Sequence, residues 1–228
     1  DRPEDVISVP GIEYAITSNG AAIYRIAGKE CLKSYLLTPS SVKTILNLTA
    51  NDTVTYEAFI KGQAFASTEY TAHPEKYSAT EHSLNYVKKT RILKDDIVSF
   101  ILEHCHELDS LDIVVGDEEL KKNIMDRIRK ATDEVYMTSS ISQLLEISYK
   151  DAGKKSGVKF LTEYLGLSRE NVAAFGDADN DTDMIEYAGV GIAMENAAPH
   201  LKQIADHVTL HHDKDGVAYA FRNILNIC

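Results

Sequence analysis

Apolar and polar positions change rhythm twice along this chain. Ile12-Glu13-Tyr14-Ala15-Ile16-Thr17-Ser18 alternates, which predicts a strand stopping at Asn19-Gly20. Ala22-Ile23-Tyr24 and a turn at Gly28-Lys29 extend it into a hairpin. Thr38-Pro39-Ser40-Ser41 then reads as a helix start, with helical spacing through Val42, Ile45 and Leu46. Alternation returns in residues 54–60 and 63–66, two strands joined by a Lys61-Gly62 turn. Residues 67–90 are polar and aromatic with weak periodicity, a loop and a helix. Asp95-Asp96 opens a helix through Cys105, and residues 111–115 form a strand. Asp117-Glu118-Glu119 starts a helix to about Ala131, its acids suited to the positive helix end. Residues 135–138 and 144–148 read as two further strands.

From residue 154 the rhythm is regular. A helix precedes the strand Asn171-Val172-Ala173-Ala174-Phe175, then come an acidic turn, a helix over 183–188 and a strand over 190–194. A helix over 198–205, a short strand over 207–210 and a last helix from about Gly216 complete the chain. Alternating strands and helices imply a parallel sheet with right-handed crossovers. The expected fold class is α/β. Residues 1–37 and 141–228 would form the core, interrupted by a smaller α+β domain over 38–140.

Composition narrows the function. The 228 residues carry a net charge of −11, which argues against nucleic acid and anionic membrane surfaces as partners. No apolar run is long enough to span a bilayer, and Asp1-Arg2-Pro3-Glu4-Asp5 has no signal-peptide pattern, so a cytoplasmic protein is expected. Cys31, Cys105 and Cys228 are far apart and no CxxC occurs, so zinc and dithiol chemistry have no support and the thiols read as buried or idle.

The chemistry concentrates in Phe175-Gly176-Asp177-Ala178-Asp179-Asn180-Asp181-Thr182-Asp183-Met184. Four carboxylates and an amide fall within seven positions, after a strand and before a helix. Open α/β sheets bind their ligands at such strand ends, and clustered carboxylates suit a hard cation such as Mg²⁺. An EF-hand loop starting at Asp177 would need Gly and Glu where Thr182 and Ala188 stand. A solvated acidic helix cap is another reading. Crowded acids repel one another, however, unless a cation or a base neutralises them. His211-His212-Asp213 has no partner motif for a metal, and the aromatics Tyr56, Phe59, Phe65, Tyr70 and Tyr77 read mainly as packing, one or two of them free to meet a substrate.

Gly176-Asp177-Ala178-Asp179-Asn180-Asp181, followed by Met184, Ala188-Gly189 and residues 190–197, resembles the fourth motif of haloacid dehalogenase-like phosphatases, within them the Cof-type subfamily. Ser18-Asn19-Gly20-Ala21, Glu146-Ile147 with Gly153-Lys154, Ala205-Asp206 with Val208-Thr209, and Asp215-Gly216-Val217-Ala218 match further family segments in the right order. The resemblance spans the chain, densely after residue 144. It implies a Rossmannoid core with an inserted α+β cap and Mg²⁺-dependent hydrolysis of small phosphate monoesters through an aspartyl-phosphate. By position, Asp177 would bind Mg²⁺ directly and Asp181 through water or from behind the ligands. Asn180, Asn19 and Gly20 would contact substrate, and Lys154, with Lys155 as its rival, would neutralise the phosphoryl group. Asp179 and Asp183 match no required position.

One departure matters. The family's Asp-x-Asp strand, which carries the nucleophile, is absent, as is the Ser or Thr of its second motif; Arg2-Pro3 looks like the tail of that region. The nucleophilic Asp is therefore expected upstream of residue 1, and the 228 residues alone are expected to be inactive. A non-catalytic metal- or phosphate-binding protein of the same fold and a sugar phosphomutase are the alternatives. A small phosphorylated substrate and a monomer or weak homodimer are expected.

Overall fold

The structure, a computed structural model, describes residues 8–227, so Arg2-Pro3 and Cys228 lie outside the described residues. The chain divides into two compact units after Ala152.

The first unit begins with an antiparallel sheet of β1 (Tyr14–Thr17), β2 (Ala22–Arg25) and β3 (Glu30–Ser34). Ser18, Asn19 and Gly20 turn the chain between β1 and β2 with φ of 48°, 50° and 94°. Asn and Gly are the residues that enter this left-handed region most readily, which explains the dipeptide. In α1 (Pro39–Thr49), Thr38 caps the first turn by accepting from the Ser41 amide at 3.2 Å, and Pro39 needs no partner for an amide it lacks.

A six-stranded sheet follows, ordered β6-β5-β4-β7-β9-β8. Its strands are β4 (Thr55–Ile60), β5 (Gln63–Ser67), β6 (Ile92–Lys94), β7 (Ser110–Val114), β8 (Val135–Thr138) and β9 (Leu144–Tyr149). Only β5 and β6 run parallel. The helices of this unit after α1 are α2 (Thr68–Ala72), α3 (Glu81–Thr90), α4 (Ile97–Glu103) and α5 (Glu118–Ala131). Period-two alternation sends Tyr56, Ala58, Leu111, Ile113, Leu145 and Ile147 to one face. There they pack with Val42 and Ile45 of α1, Ile101 of α4 and Ile124 and Ile128 of α5. On the other face Tyr70, Tyr77 and Val87 pack on Ala66 and Val114.

Strand β9 pairs with β7 and β8, and its Leu145 and Ile147 complete this sheet's apolar face. Residues up to 37 group with this unit too, tied by the Leu37 amide to the Leu108 carbonyl at 2.9 Å and the Ser34 hydroxyl to Asp109 at 3.3 Å. Strand β6, at three residues, is too short to show alternation.

The second unit contains α6 (Lys154–Tyr164), β10 (Ala173–Gly176), α7 (Thr182–Tyr187), β11 (Val190–Ala193), α8 (Pro199–Ile204), β12 (His207–Val208) and α9 (Gly216–Asn223). The strands are parallel in the order β10-β11-β12, as strand–helix alternation requires. Ala174, Ile185, Ala188, Ala193, Ala197 and Leu201 form its core. Gly191 permits that packing, since a Cβ there would meet the Ile185 carbonyl at 2.6 Å. Among the described residues no helix is long and apolar enough to cross a membrane.

Candidate active site

Strand β10 delivers Gly176 and Asp177 to its carboxyl end. The Gly176 carbonyl accepts from the Met194 amide at 3.0 Å and the Asp177 carbonyl from the Ala198 amide at 3.3 Å, fixing the loop to the chain beyond β11. A single turn of 3-10 helix, Asp179–Asp181, leads into α7. Asp181 is 4% exposed. Its Oδ2 accepts from the Asp177 amide at 2.9 Å and the Ala178 amide at 3.2 Å. Its Oδ1 accepts from Lys154 Nζ at 2.5 Å. Gly176 makes room for this arrangement, because a Cβ there would lie 2.4 Å from Asp181 Cβ and 2.8 Å from its Cγ.

Lys154 is the first residue of α6, placed by Gly153 at φ 134°, which L side chains rarely adopt. A cation at a helix N-terminus opposes the helix dipole, and Asp181 offsets that cost. The helix N-terminus and the ammonium together make an anion-attracting corner. Lys155 is exposed and its charge acts on Asp183 instead. Burial pushes the half-buried Asp183 carboxyl up, and the Met184 and Lys155 amides act against it.

Asp177 is exposed, and its Oδ2 accepts from Asn196 Nδ2 at 2.8 Å. Asn196 is in turn oriented by the His212 amide, which donates to its Oδ1 at 3.2 Å. No role was legible for Asn196, an isolated amide in a loop without periodicity. Asn180 sits in the same 3-10 turn, 5% exposed. Asp179 is exposed with His200 Nε2 at 3.3 Å, and His211 pairs with Asp213.

Asp177, Asn180, Asp181 and Lys154 are thus brought together, whereas Asn19 and Gly20 belong to the first unit, where Asn19 lines a cavity of about 600 Å³. Among the described residues no three His, Cys, Asp or Glu side chains are grouped to hold a metal ion. Mg²⁺ commonly takes one or two carboxylates and completes its shell with water and phosphate. The exposed Asp177 fits that role. Asp181, with both oxygens engaged by Lys154 and two amides, fits a supporting place behind the ion.

A family model of the haloacid dehalogenase-like hydrolases matches residues 4–221. The chain belongs to the haloacid dehalogenase-like hydrolases. Among curated members, it is 35% identical over 118 residues to the Bacillus subtilis 5-amino-6-(5-phospho-D-ribitylamino)uracil phosphatase YcsE, covering 52% of this chain and 47% of that protein. It is 40% identical over 93 residues to Phosphatase YwpJ of the same organism, covering 41% of this chain and 33% of that protein. The matched region is therefore less than half of either relative's length. A haloacid dehalogenase-like hydrolase from B. subtilis shares the fold at a TM-score of 0.80 and 23% identity, covering 97% of this chain and 83% of that one. The subclass IIB sugar phosphatase BT4131 does so at a TM-score of 0.77 and 20% identity, covering 95% and 77%.

Proposed function

We propose that this haloacid dehalogenase-like hydrolase is a Mg²⁺-dependent phosphatase of the Cof type. The carrying observation is the triad at the end of β10, with Asp177 exposed, Asp181 buried behind it and Lys154 held on Asp181 at 2.5 Å. When bound at Asp177, Mg²⁺ supplies Lewis-acid stabilisation of charge on the phosphoryl oxygens.

The chain's own residues do the rest. Lys154, anchored by one N–H on Asp181, has further N–H groups to donate to a phosphoryl oxygen. Asp181 holds that ammonium and the Asp177 and Ala178 amides in one arrangement, so little reorganisation is needed as charge develops. Asn196 holds one oxygen of Asp177, and the other oxygen would be left to hold the ion. Asn180 orients the phosphate from the same turn. The nucleophile of an aspartyl-phosphate route is proposed to precede residue 1. The substrate is a small phosphate monoester, a sugar phosphate or a phosphorylated cofactor, a reading supported by one relative named for a phosphoribitylamino compound and one structural neighbour named as a sugar phosphatase.

The test is phosphate release from p-nitrophenyl phosphate by the full-length protein with and without Mg²⁺. Asp177→Ala and Lys154→Ala are each expected to lower kcat/KM at least about a hundredfold. Equal activity in Asp177→Ala and parent, or activity indifferent to Mg²⁺, rejects the assignment. No activity in the full-length protein favours a non-catalytic binding protein of this fold.

A further inference from the structure

Strands β11 and β12 end at Ala193 and Val208, yet the two segments stay paired beyond them. The Thr209 amide donates to the Ala193 carbonyl at 2.9 Å and the Glu195 amide to the Leu210 carbonyl at 3.4 Å. After that, side chains take the place of main-chain carbonyls. Glu195 Oε2 accepts from the His211 amide at 3.0 Å and Asn196 Oδ1 from the His212 amide at 3.2 Å. The path of residues 209–212 is therefore set rung by rung from the sheet. Its return is set as well. The buried Thr209 hydroxyl donates to the Gly216 carbonyl at 2.6 Å, and a Cβ on Gly216 would stand 2.2 Å from the Leu210 carbonyl oxygen.

This ladder ends on the acidic loop. Asn196 has the His212 amide against its oxygen and Asp177 against its nitrogen, with Nδ2 donating to Asp177 Oδ2 at 2.8 Å. Only one orientation of the side-chain amide satisfies both neighbours. Turned over, its NH₂ would face the His212 donor and its oxygen would face the Asp177 carboxylate. The main chain at His212 thereby decides that Asn196 presents a donor to Asp177. The His211 imidazole is committed to Asp213 and rests against that of His212, with 4.5 Å between ring centres. It is the backbone of this segment, rather than its two imidazoles, that hydrogen-bonds Asn196.

We propose that Asn196 is a positioning residue for the metal-holding carboxylate of Asp177, and that the main chain at His212 sets it. The inference rests on the Mg²⁺ site proposed above and deepens it. Two effects of the Asn196 donor oppose one another. It draws charge from the carboxylate, which weakens the hold on a cation. It also fixes the rotamer of an exposed side chain that would otherwise be ordered only on binding. Asp177 is open to solvent, so water replaces a lost donor and the first effect nearly cancels. Water does not supply the lost order, so the second effect wins. Hydrogen-bonded partners of metal ligands are worth about ten- to a hundredfold in affinity. The segment after β12, polar and without a metal-binding pattern of its own, thus acts on the site through its backbone.

The test measures binding of MgCl₂ to the full-length protein without substrate, by calorimetry and by the amide shifts of Asp177 and Ala178 in ¹H–¹⁵N spectra. Asn196→Ala is expected to raise Kd at least about tenfold, while lowering the metal-free melting temperature by no more than about 4 °C. A second pair of variants addresses the main chain. His212 opens the 3-10 turn His212–Lys214, and His211 before it is extended at φ −56° and ψ 149°. Proline therefore fits at 212 and removes the amide hydrogen. His212→Pro is expected to raise Kd at least about threefold more than His212→Ala, which loses the imidazole but keeps the amide. A parent-like Kd in Asn196→Ala, or equal Kd in the two His212 variants, overturns the proposal. So does a loss of affinity that comes with a larger fall in melting temperature, which would mean that Asn196 only holds the loop together. If one substitution fails to fold, the other position decides. No Mg²⁺ binding by the parent, or parent-like binding by Asp177→Ala, overturns the metal site and this inference with it. Binding lost in Asp177→Ala yet intact in Asn196→Ala sinks the positioning role alone.

Discussion

At the scale of single residues, the candidate site turns on what one missing side chain allows. Gly176 has no positive φ, so the backbone does not demand glycine there. The demand is steric, since Asp181 lies across it within 2.4 Å of where a Cβ would stand. Asp181 cannot retreat cheaply, being held by two amides and Lys154. Gly176→Ala is therefore expected to destabilise the fold by about 1–3 kcal/mol. Thermal denaturation reads this as a drop of about 2–4 °C per kcal/mol for a chain of this size. An unchanged melting temperature, with the Asp177 and Ala178 amide signals unmoved, would show that Asp181 is not pinned. Asp177, Asp181 and Lys154 were singled out through the resemblance of residues 176–181 and of Gly153-Lys154 to family segments, and the fold brings the three side chains to one strand end. The choice between Lys154 and Lys155 was not legible, because adjacent residues on a helix differ by about 100° in direction and sequence alone does not phase the helix.

At the scale of elements, the strands of the large sheet other than the three-residue β6 were legible because they alternate. Thr55, Glu57 and Phe59 oppose Tyr56, Ala58 and Ile60, and Ser110 and Asp112 oppose Leu111 and Ile113. What alternation did not reveal is that the polar face is buried too, with Glu57 2% and Asp112 5% exposed. A polar stripe ordinarily reads as a solvated face, and only the cross-strand register brings Glu57, Asp112 and Glu146 together. Like charges opposite one another across strands are destabilising. The pH dependence follows with a definite sign. Asp112 titrates well above its ordinary value, because of burial first and the neighbouring carboxylates second. Its protonated form is favoured by the fold, so this contribution is complete below about pH 4 and is lost as pH rises through the raised value. Glu57 is shifted the same way, with burial as the largest cause and Arg91 opposing it. Asp112→Asn removes one buried ionisation while keeping an acceptor for Ser110. Its melting temperature is expected to fall less steeply with rising pH than the parent's, and to exceed the parent's at alkaline pH. Circular dichroism melts across the range check this, and parallel curves for the two proteins would refute it.

At the scale of the whole chain, the two units are unequal. Among the described residues the main core of the first gathers nineteen that are buried, large aliphatics such as Ile101, Leu111, Ile113 and Ile147 among them. Among the described residues the second unit's main cluster has six, of which four are alanines, with Ile192, Met194 and Ala220 buried beside it in the chain. Tyr164, Leu165, Leu167, Val217 and Phe221 of that unit stay between 40% and 48% exposed rather than adding to it. Each buried large aliphatic side chain contributes about 1.5–3 kcal/mol and an alanine far less, so the second unit holds its strands by a smaller margin. Opening of a protein follows such differences, each cooperative region having its own free energy. Amides of Ile192 and Ala193 in β11 are therefore expected to exchange with solvent through a smaller opening than those of Ile113 in β7 and Ile147 in β9. Native-state hydrogen exchange across a denaturant series separates them, with the β11 amides joining a subglobal opening and the β7 and β9 amides following the highest-energy one. Mg²⁺ with inorganic phosphate should raise protection in β11 and the Asp177 loop by RT ln(1 + [L]/Kd), and leave β7 and β9 less affected. A single exchange free energy shared by all four amides, in both conditions, would mean that the units unfold as one and that core size does not set their order.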